Sequence, residues 1–192
     1  MPRKLVENSR SYRRFQEDKP ISVHILRDLI DLARLTPSAR NVQPLRYMLV
    51  TKQSEREKVF PSLAWAGNLK DWPGPEAGER PSGYVIILRQ KELKDAAGVD
   101  HGIVAQTIML GAVEKGFGGC IIGAINKKQL RQELAIDEQY EILLVLALGV
   151  PAEVVVIEDL PASGDTGYWR DEQSVHHVPK RQLDELIISQ DD

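Results

Sequence analysis

The sequence predicts an α+β fold, because segments with helical and strand periodicity follow one another without the regular alternation of a doubly wound sheet. Its 192 residues are 42% hydrophobic and 28% charged, which is the composition of an ordinary globular protein. A chain of this length can bury a sizeable core. We therefore expect one domain over residues 1–192.

The first strong pattern is a core-facing helix within residues 20–37. Apolar side chains recur there at helical spacing, Ser22 can cap the start, and Pro37 ends the pattern. After a turn, "LRYMLVT" alternates as a strand. The stretch "SERE" then predicts a capping box for a short helix over residues 54–60.

Residues 61–83 contain four prolines, four glycines and two tryptophans. This composition predicts a long structured loop lying over an apolar surface, and long structured loops are usually functional.

The second half of the chain continues the mixed order of elements. The patterns predict a buried strand, a helix ending at Gly116, a second strand, a helix capped by Asn126, a third strand and a polar tail with a final short helix. The segments, in order, are "YVIILR", "GVDHGIVAQTIMLGAVEKG", "CIIGAI", "NKKQLRQEL", "EILLVLALGV" and "RQLDELII".

Charge and cysteine content exclude several classes of protein. A formal net charge of -3 and a pI near 5.9 argue against a nucleic-acid or anionic-lipid surface, which needs an excess of basic charge. The single cysteine, Cys120, excludes an intrachain disulfide and a cysteine-based zinc site, and it favours a reducing cytoplasm. The sequence has no signal-peptide core and no apolar run of about 20 residues, so we expect a soluble cytoplasmic protein without a membrane span.

Candidate sites for protein-based chemistry are weak. "GFGGCIIG" follows a helix and precedes a strand, the reverse of the dinucleotide-binding order, and fits a helix C-cap better. His176 and His177 point to opposite sides if they lie in a strand, so we expect no metal site there. Cys120 has apolar neighbours and is interpreted as a small buried residue. Since no catalytic residue stands out, a bound cofactor is expected to carry the chemistry.

The stretch "RSYRRF", residues 10–15, places three arginines in five positions of an acidic chain. Such a cluster can face a nucleic acid, the carboxylates of its surroundings, or a bound phosphate. We favour phosphate, because guanidinium groups bind it bidentately and a second basic pair, Lys180 and Arg181, lies near the C-terminus.

A resemblance covers nearly the whole chain. The stretches that carry it, in order, are "RSYRRF", "TPSARNVQP", "DHGIVAQTIMLGA", "GFGGCIIGAI", "LALGVPAE" and "VPKRQLDEL". Together they resemble the FMN-dependent nitroreductase family. The resemblance implies an α+β fold with a central, mostly antiparallel sheet flanked by helices. It also implies an intertwined homodimer that binds FMN at the subunit interface.

The resemblance also implies roles for individual residues. Arg10 and Ser11 resemble phosphate and ribityl contacts, and Arg13 resembles the cation beside flavin N1 and O2. A family arginine is replaced by Ser9, which leaves Arg10, Arg13 and Arg14 as candidates for the phosphate. Three further groups of residues match the family's cofactor site. A turn expected to reach the partner's flavin contains Pro37, Ser38, Ala39 and Asn41. The segment beside flavin N5 contains Ile122, Gly123 and Ala124, and a second phosphate clamp contains Lys180 and Arg181.

The function implied by the resemblance is reduction of nitroaromatic, quinone or related acceptors with NADH or NADPH, by ping-pong hydride transfer through flavin N5. A rival hypothesis is a flavin-binding protein that senses redox state or delivers FMN without turnover. On the first hypothesis, the apolar helix around Ile103, Ile108 and Leu110 is expected to lie partly in the dimer interface.

Overall fold

A computed structural model describes residues 2–96 and 98–189, except the side chains of residues 94–96. Six α-helices and seven β-strands are described. The helices are α1 Pro2–Asn8, α2 Val23–Ala33, α3 Gln53–Val59, α4 Asp100–Glu114, α5 Lys127–Glu133 and α6 Leu183–Leu186. The strands are β1 Leu45–Val50, β2 Gly83–Gln90, β3 Gly118–Ile122, β4 Tyr140–Gly149, β5 Val155–Asp159, β6 Trp169–Arg170 and β7 His176–Lys180. No helix in the described part of the chain is long and apolar enough to cross a bilayer.

The central sheet has the strand order β1-β2-β4-β3, and every neighbouring pair is antiparallel. The middle strands, β2 and β4, are buried along most of their length because helices cover both faces of the sheet. This arrangement confirms the expected α+β fold with a central antiparallel sheet.

Alternating side chains of β2 divide between two apolar layers. Val85 and Ile87 pack with α2 and α4 on one face, where Leu29 and Ile108 are fully buried. Ile86 faces the other side, where the layer includes residues of α3, α5 and the loop after α3. The period of two along the strand thus places one core on each side of the sheet.

Helix starts that were predicted from capping residues had different outcomes. Ser22 caps α2, and Asn126 caps α5, where its side chain accepts a hydrogen bond from the backbone N of Gln129 at 3.1 Å. The prediction of a capping box at Ser54 is wrong. Helix α3 begins one residue earlier, with Lys52 at the N-cap and no side-chain capping bond, so Ser54 lies inside the first turn.

A second, three-stranded sheet lies within the segment that we expected to be a polar tail. Its order is β5-β7-β6, with β5 parallel and β6 antiparallel to β7. Helix α1 was also not expected. The short final helix is confirmed as α6. The single-domain interpretation of residues 1–192 stays a prediction, and residues 1, 97 and 190–192 of that range lie outside the described residues.

Candidate functional site

The arginine segment, residues 10–15, runs beside the edge strand β3. Ser11 forms a parallel bridge with Gly119, and the backbone N of Tyr12 donates to the Gly119 carbonyl at 2.9 Å. A Cβ at position 118 would come within 2.5 Å of Cδ2 of Tyr12, so glycine at this position permits the close approach of the arginine segment. Phe15 is fully buried and anchors the end of the segment.

Arg13 is buried, with only 8% of its surface exposed. Its Nη1 donates to the carbonyl oxygen of Ser11 at 3.1 Å and faces Nε2 of His176 at 3.2 Å. The guanidinium carbon also lies 4.7 Å from the centre of the Tyr168 ring. All of these side-chain contacts are with uncharged groups, and within residues 2–96 and 98–189 no ion pair to the Arg13 guanidinium is found. A buried cation without a carboxylate is costly, which favours a functional role.

Glu153 holds the backbone of Arg13 and Arg14 in place. Its Oε1 accepts hydrogen bonds from the backbone N of Arg13 and, at 3.2 Å, from the backbone N of Arg14. Its Oε2 pairs with Nη2 of Arg170 at 2.8 Å, and the Glu153 side chain is almost fully buried. One carboxylate therefore joins the arginine segment to β6.

His176 presents an acceptor to Arg13. A guanidinium can only donate hydrogen bonds, so Nε2 must accept and the proton must reside on Nδ1. Burial, together with the neighbouring positive charge of Arg13, lowers the pKa of His176 to about 4. The imidazole is therefore neutral near pH 7.

Arg13 contributes to a cleft of about 130 Å³, which we call the Arg13 cleft. Arg13 is the charged side chain among its lining residues, which are otherwise mostly apolar. There is free space around Gly123, since a Cβ added at this position would have Cδ2 of Leu144 as its nearest neighbour, at 3.8 Å. The lining residues are Arg13, Ala64, Trp65, Ala66, Cys120, Ile121, Ile122, Gly123 and Ala124.

Cys120 faces this cleft but is not prepared for nucleophilic chemistry. The residue is 5% exposed, and burial raises the pKa of its thiol. The interpretation of Cys120 as a small buried residue is confirmed.

The two histidines do point to different surroundings, as expected for neighbours in a strand. His176 is buried against Arg13, whereas His177 lies between Oε2 of Glu158 at 2.9 Å and Oδ2 of Asp171 at 3.2 Å. Across the part of the chain that the structure describes, no group of three or more His, Cys, Asp or Glu side chains is arranged to hold a metal ion.

The turn after α2 is held elsewhere in the fold by Asp100. Ser38 Oγ donates to Oδ2 of this buried carboxylate at 2.6 Å, and the backbone N of Ala39 donates to Oδ1 at 3.1 Å. Pro37 and Ser38 line a second cleft of about 140 Å³. No described contact joins the turn to the Arg13 cleft, so the predicted roles of Pro37, Ser38, Ala39 and Asn41 at a partner's flavin stay predictions.

The three candidate phosphate arginines differ in their surroundings. Arg14 pairs with Glu79, at 3.2 Å between Nε and Oε2, so its charge is already balanced. Arg10 is partly exposed, and its Nη2 donates to the carbonyl oxygen of Val6 at 2.5 Å. Arg10 therefore has the guanidinium more available to an anion. Ser11, beside it, is exposed.

The second basic pair lies away from Arg13. Lys180 ends β7, four residues after His176 and hence roughly 13 Å along the strand. Arg181 pairs with Glu185, at 3.1 Å between Nη1 and Oε2. The described structure does not bring Lys180 and Arg181 to the arginine segment, and their role as a phosphate clamp stays a prediction.

The residues of the Arg13 cleft fit a flavin in the character of their groups. A flat, largely apolar ring needs an apolar surface with open space, which Ile122 and Gly123 supply. The charge that a flavin gains on reduction needs a fixed cation, and Arg13 is an unbalanced one. Arg10 and the exposed Ser11 could hold a phosphate-bearing tail.

Sequence reasoning missed several residues that build this site. Glu153 lies within "LALGVPAE" but received no role, and His176 was considered only as a metal ligand. Tyr168 and Arg170 carry no recognisable motif. Their contact with Arg13 and Glu153 spans distant parts of the chain, so only the folded structure brings them together.

The chain is similar in sequence or fold to known proteins. YodC of Bacillus subtilis (strain 168), whose name gives a provisional assignment as an NAD(P)H nitroreductase, is 25% identical over 169 residues. That match covers 72% of this chain and 84% of YodC.

Solved structures with a similar fold include two that are described as follows. A nitroreductase family protein from Streptococcus pneumoniae TIGR4 has a TM-score of 0.70 at 17% identity, covering 99% of this chain and 100% of that one. An FMN-dependent nitroreductase from Clostridium difficile R20291 has a TM-score of 0.63 at 21% identity, covering 78% and 87%. The family model for the nitroreductase family matches residues 6–150, and the chain therefore belongs to the nitroreductase family.

Proposed function

We propose that this protein is an FMN-dependent NAD(P)H oxidoreductase that reduces nitroaromatic, quinone or related acceptors. The observation that carries the proposal is Arg13, a buried guanidinium without a carboxylate partner among the described residues, on the wall of an otherwise apolar cleft. Membership of the nitroreductase family and the FMN-dependent structural relative support the same conclusion.

FMN, when bound, supplies the hydride chemistry, and the protein residues bind and orient. Arg13 holds a positive charge at the cleft, where it stabilises an anionic form of a bound ring better than a neutral one. His176 and Tyr168 keep the guanidinium facing this position, and Glu153 fixes its backbone. Ile122 provides an apolar surface that limits the access of water.

The proposal includes a homodimer. Within one chain, Arg10, Ser11, Arg13 and the 122–124 segment form one continuous region beside β3. The turn at residues 37–41 is separate from this region, and the resemblance assigns it to the flavin of a second copy. A second copy would therefore complete each cofactor site.

The test begins with the cofactor. The purified protein should be yellow, and denaturation should release FMN rather than FAD, since the glycine-rich stretch "GFGGCIIG" follows helix α4 and forms strand β3, the reverse of the order in a pyrophosphate loop. Oxidation of NADH and NADPH should then be followed with and without a quinone. Parallel initial-rate lines are expected if donor and acceptor use the same site in turn.

The outcomes separate the hypotheses. A protein that takes up no FMN, or that releases mainly FAD, contradicts the proposed cofactor. FMN binding without acceptor-dependent oxidation of NAD(P)H contradicts the enzyme and favours the sensing or delivery protein. Intersecting rate lines contradict the shared site.

A further inference from the structure

Three arginines and two carboxylates lie close together where the arginine segment approaches β6. Arg14 pairs with Glu79, at 3.2 Å between Nε and Oε2. Arg170 pairs with Glu153, at 2.8 Å between Nη2 and Oε2. Arg13 is the third arginine, and no ion pair to its guanidinium is found among the described residues. The two carboxylates thus each have another partner, and the remaining cation is the one on the wall of the Arg13 cleft.

Glu153 is nevertheless close enough to Arg13 to become its partner. Its Oε1 already accepts a hydrogen bond from the backbone N of Arg13, and a side chain of this length can turn back to a carboxylate beside its own backbone. Both charges also act on His176. Burial lowers the pKa of this histidine, the charge of Arg13 lowers it further, and the charge of Glu153 raises it. The guanidinium and the carboxylate therefore share one neighbourhood.

Arg170 already occupies this carboxylate. The ion pair is buried on both sides, with side-chain exposures of 11% for Arg170 and 2% for Glu153. The guanidinium carbon of Arg170 lies 4.2 Å from the centre of the Trp72 ring, which holds it beside Glu153. Because the negative charge of Glu153 is balanced by one guanidinium, a second guanidinium gains less from approaching it. Arg13 is left with uncharged partners.

We propose that Arg170 is a positioning residue, which occupies the carboxylate of Glu153 and so keeps the Arg13 guanidinium free to face an anionic group in the Arg13 cleft. The identity of that group as a flavin rests on the proposed function. Without Arg170, Glu153 would be a buried carboxylate that has lost its counter-charge, which is costly. Arg13 would then turn toward Glu153, and the cleft would lose its positive charge.

Crystal structures of two variants test the geometry without any requirement for a cofactor. In Arg170→Gln, a guanidinium nitrogen of Arg13 should lie within about 4 Å of a Glu153 carboxylate oxygen, the distance of an ion pair. In the double variant Arg170→Gln/Glu153→Gln, the carboxylate is absent, and Arg13 should keep its hydrogen bond to His176. An Arg13 that stays on His176 in Arg170→Gln overturns the inference.

The FMN-loaded protein tests the consequence for the cleft. Arg170→Gln should raise the dissociation constant of FMN roughly tenfold or more, the contribution of a hydrogen bond to a charged group, and it should lower the midpoint potential of the bound flavin. Glu153→Gln keeps an oxygen for the backbone N of Arg13 and removes the competing charge, so it should cause neither change. The double variant should return to within about threefold of the wild type.

The difference between the two single variants separates this role from general support of the fold. An ion pair that only stabilises the structure would be broken equally by either substitution. Arg170→Lys keeps a charge for Glu153 and should behave as the wild type. Arg89→Gln is the matched control, because it breaks a partly buried ion pair with Glu141 near the start of β4, and it should leave FMN affinity unchanged. Arg170→Met replaces the glutamine variant if that variant does not fold.

Equal losses of FMN affinity in Arg170→Gln and Glu153→Gln overturn the inference while the proposed function stands. A double variant that binds FMN no better than Arg170→Gln overturns it as well. If the wild-type protein binds no FMN, the proposed function fails, and the crystal structures still decide whether Arg170 keeps Arg13 away from Glu153.

Discussion

Arg13 Nη1 donates a hydrogen bond to Nε2 of His176 at 3.2 Å, and this contact joins the arginine segment to the last strand, β7. The direction of the bond follows from chemistry, since a guanidinium has no acceptor. Arg13 is therefore oriented by a residue 163 positions away. The position of the Arg13 charge at the cleft therefore depends on the second, three-stranded sheet, to which β7 belongs.

Replacing Arg13 with Gln should weaken FMN binding and make the flavin harder to reduce. A hydrogen bond to a charged group contributes about 1.5–3 kcal/mol, so the dissociation constant of FMN should rise roughly ten- to a hundredfold. Equilibrium dialysis and redox titration measure the two effects. Arg3→Gln is the matched control, because Arg3 is exposed and pairs with Glu7 on α1. Unchanged affinity and potential in Arg13→Gln would show that this arginine does not face the flavin.

Acid should destabilise the protein through His176. Its pKa is about 4 in the folded protein and near 6.5 in an unfolded chain, so between these values the unfolded chain binds more protons. The free energy of unfolding should therefore fall as the pH drops below about 6.5, by at most about 1.4 kcal/mol per pH unit for this group. His176→Gln keeps an acceptor for Arg13 without titrating.

Urea unfolding at pH 7 and pH 5 measures this effect. The loss of stability between the two values should be smaller in His176→Gln than in the wild type. His24→Gln, on the exposed face of α2, should behave as the wild type. An equal loss in His176→Gln would mean that His176 does not resist protonation in the folded protein.

The central sheet and its helices were predictable because their signals are local. The apolar spacing of α2 and the continuous apolar run of β4 identify these elements without knowledge of their partners. The three-stranded sheet was not predictable in this way. Its strands are short, and residues such as Glu158 and Asp171 acquire their partners only when β5 and β7 pair.

The same distinction between local signals and long-range contacts applies to the residues of the site. Arg13 and the 122–124 segment could be named from their motifs, and the structure brings them to one cleft. Glu153 could not be assigned, because its role comes from contacts between distant parts of the chain. The capping prediction at Ser54 failed because the N-cap of the helix is Lys52, two residues before the position that the motif requires.

The contribution of His177 to the stability of the second, three-stranded sheet should change with pH in the opposite direction. Its hydrogen bonds to Glu158 and then Asp171 raise the pKa of His177. A raised folded pKa gives a contribution that is complete below about pH 6.5 and is lost as the pH rises through the folded value. The difference in melting temperature between the wild type and His177→Gln should therefore shrink from pH 6 to pH 9. A constant difference would show that packing on Trp169, and not the charge, is what the variant removes.

Asp100 should contribute strongly to stability through the turn that follows α2. Asp100→Ala leaves the hydroxyl of Ser38 and the backbone N of Ala39 without their acceptor. The free energy of unfolding, measured with urea, should therefore fall by about 1–3 kcal/mol. The same turn holds Arg40 and Asn41 at positive φ, a conformation that must be enforced by its surroundings.

Asp28→Ala is the control for Asp100→Ala. Asp28 forms a surface ion pair with Lys115, and its loss should cost at most about 1 kcal/mol. Equal effects of the two substitutions would mean that the buried carboxylate does not hold the turn.

FMN should stabilise the proposed dimer. If each cofactor contacts two chains, ligand binding favours the dimer by mass action, by ~2.7 kcal/mol at a free ligand concentration a hundredfold above its dissociation constant. Exposed apolar side chains available for an interface include Leu32 and Leu35 in and after α2. On α4, Ile103 and Leu110 remain partly exposed, whereas Ile108 is fully buried in the core of its own chain and cannot contribute as expected.

Sedimentation over a dilution series of FMN-loaded and FMN-stripped protein measures this coupling. The stripped protein should dissociate at a higher protein concentration than the loaded protein, because it lacks the ligand that binds only the assembled site. The difference should diminish in Arg13→Gln, which weakens FMN binding without altering the exposed surfaces of α2 and α4. A monomer that holds FMN at every concentration would contradict a site shared between two chains, and it would place the whole cofactor against the Arg13 cleft of one chain.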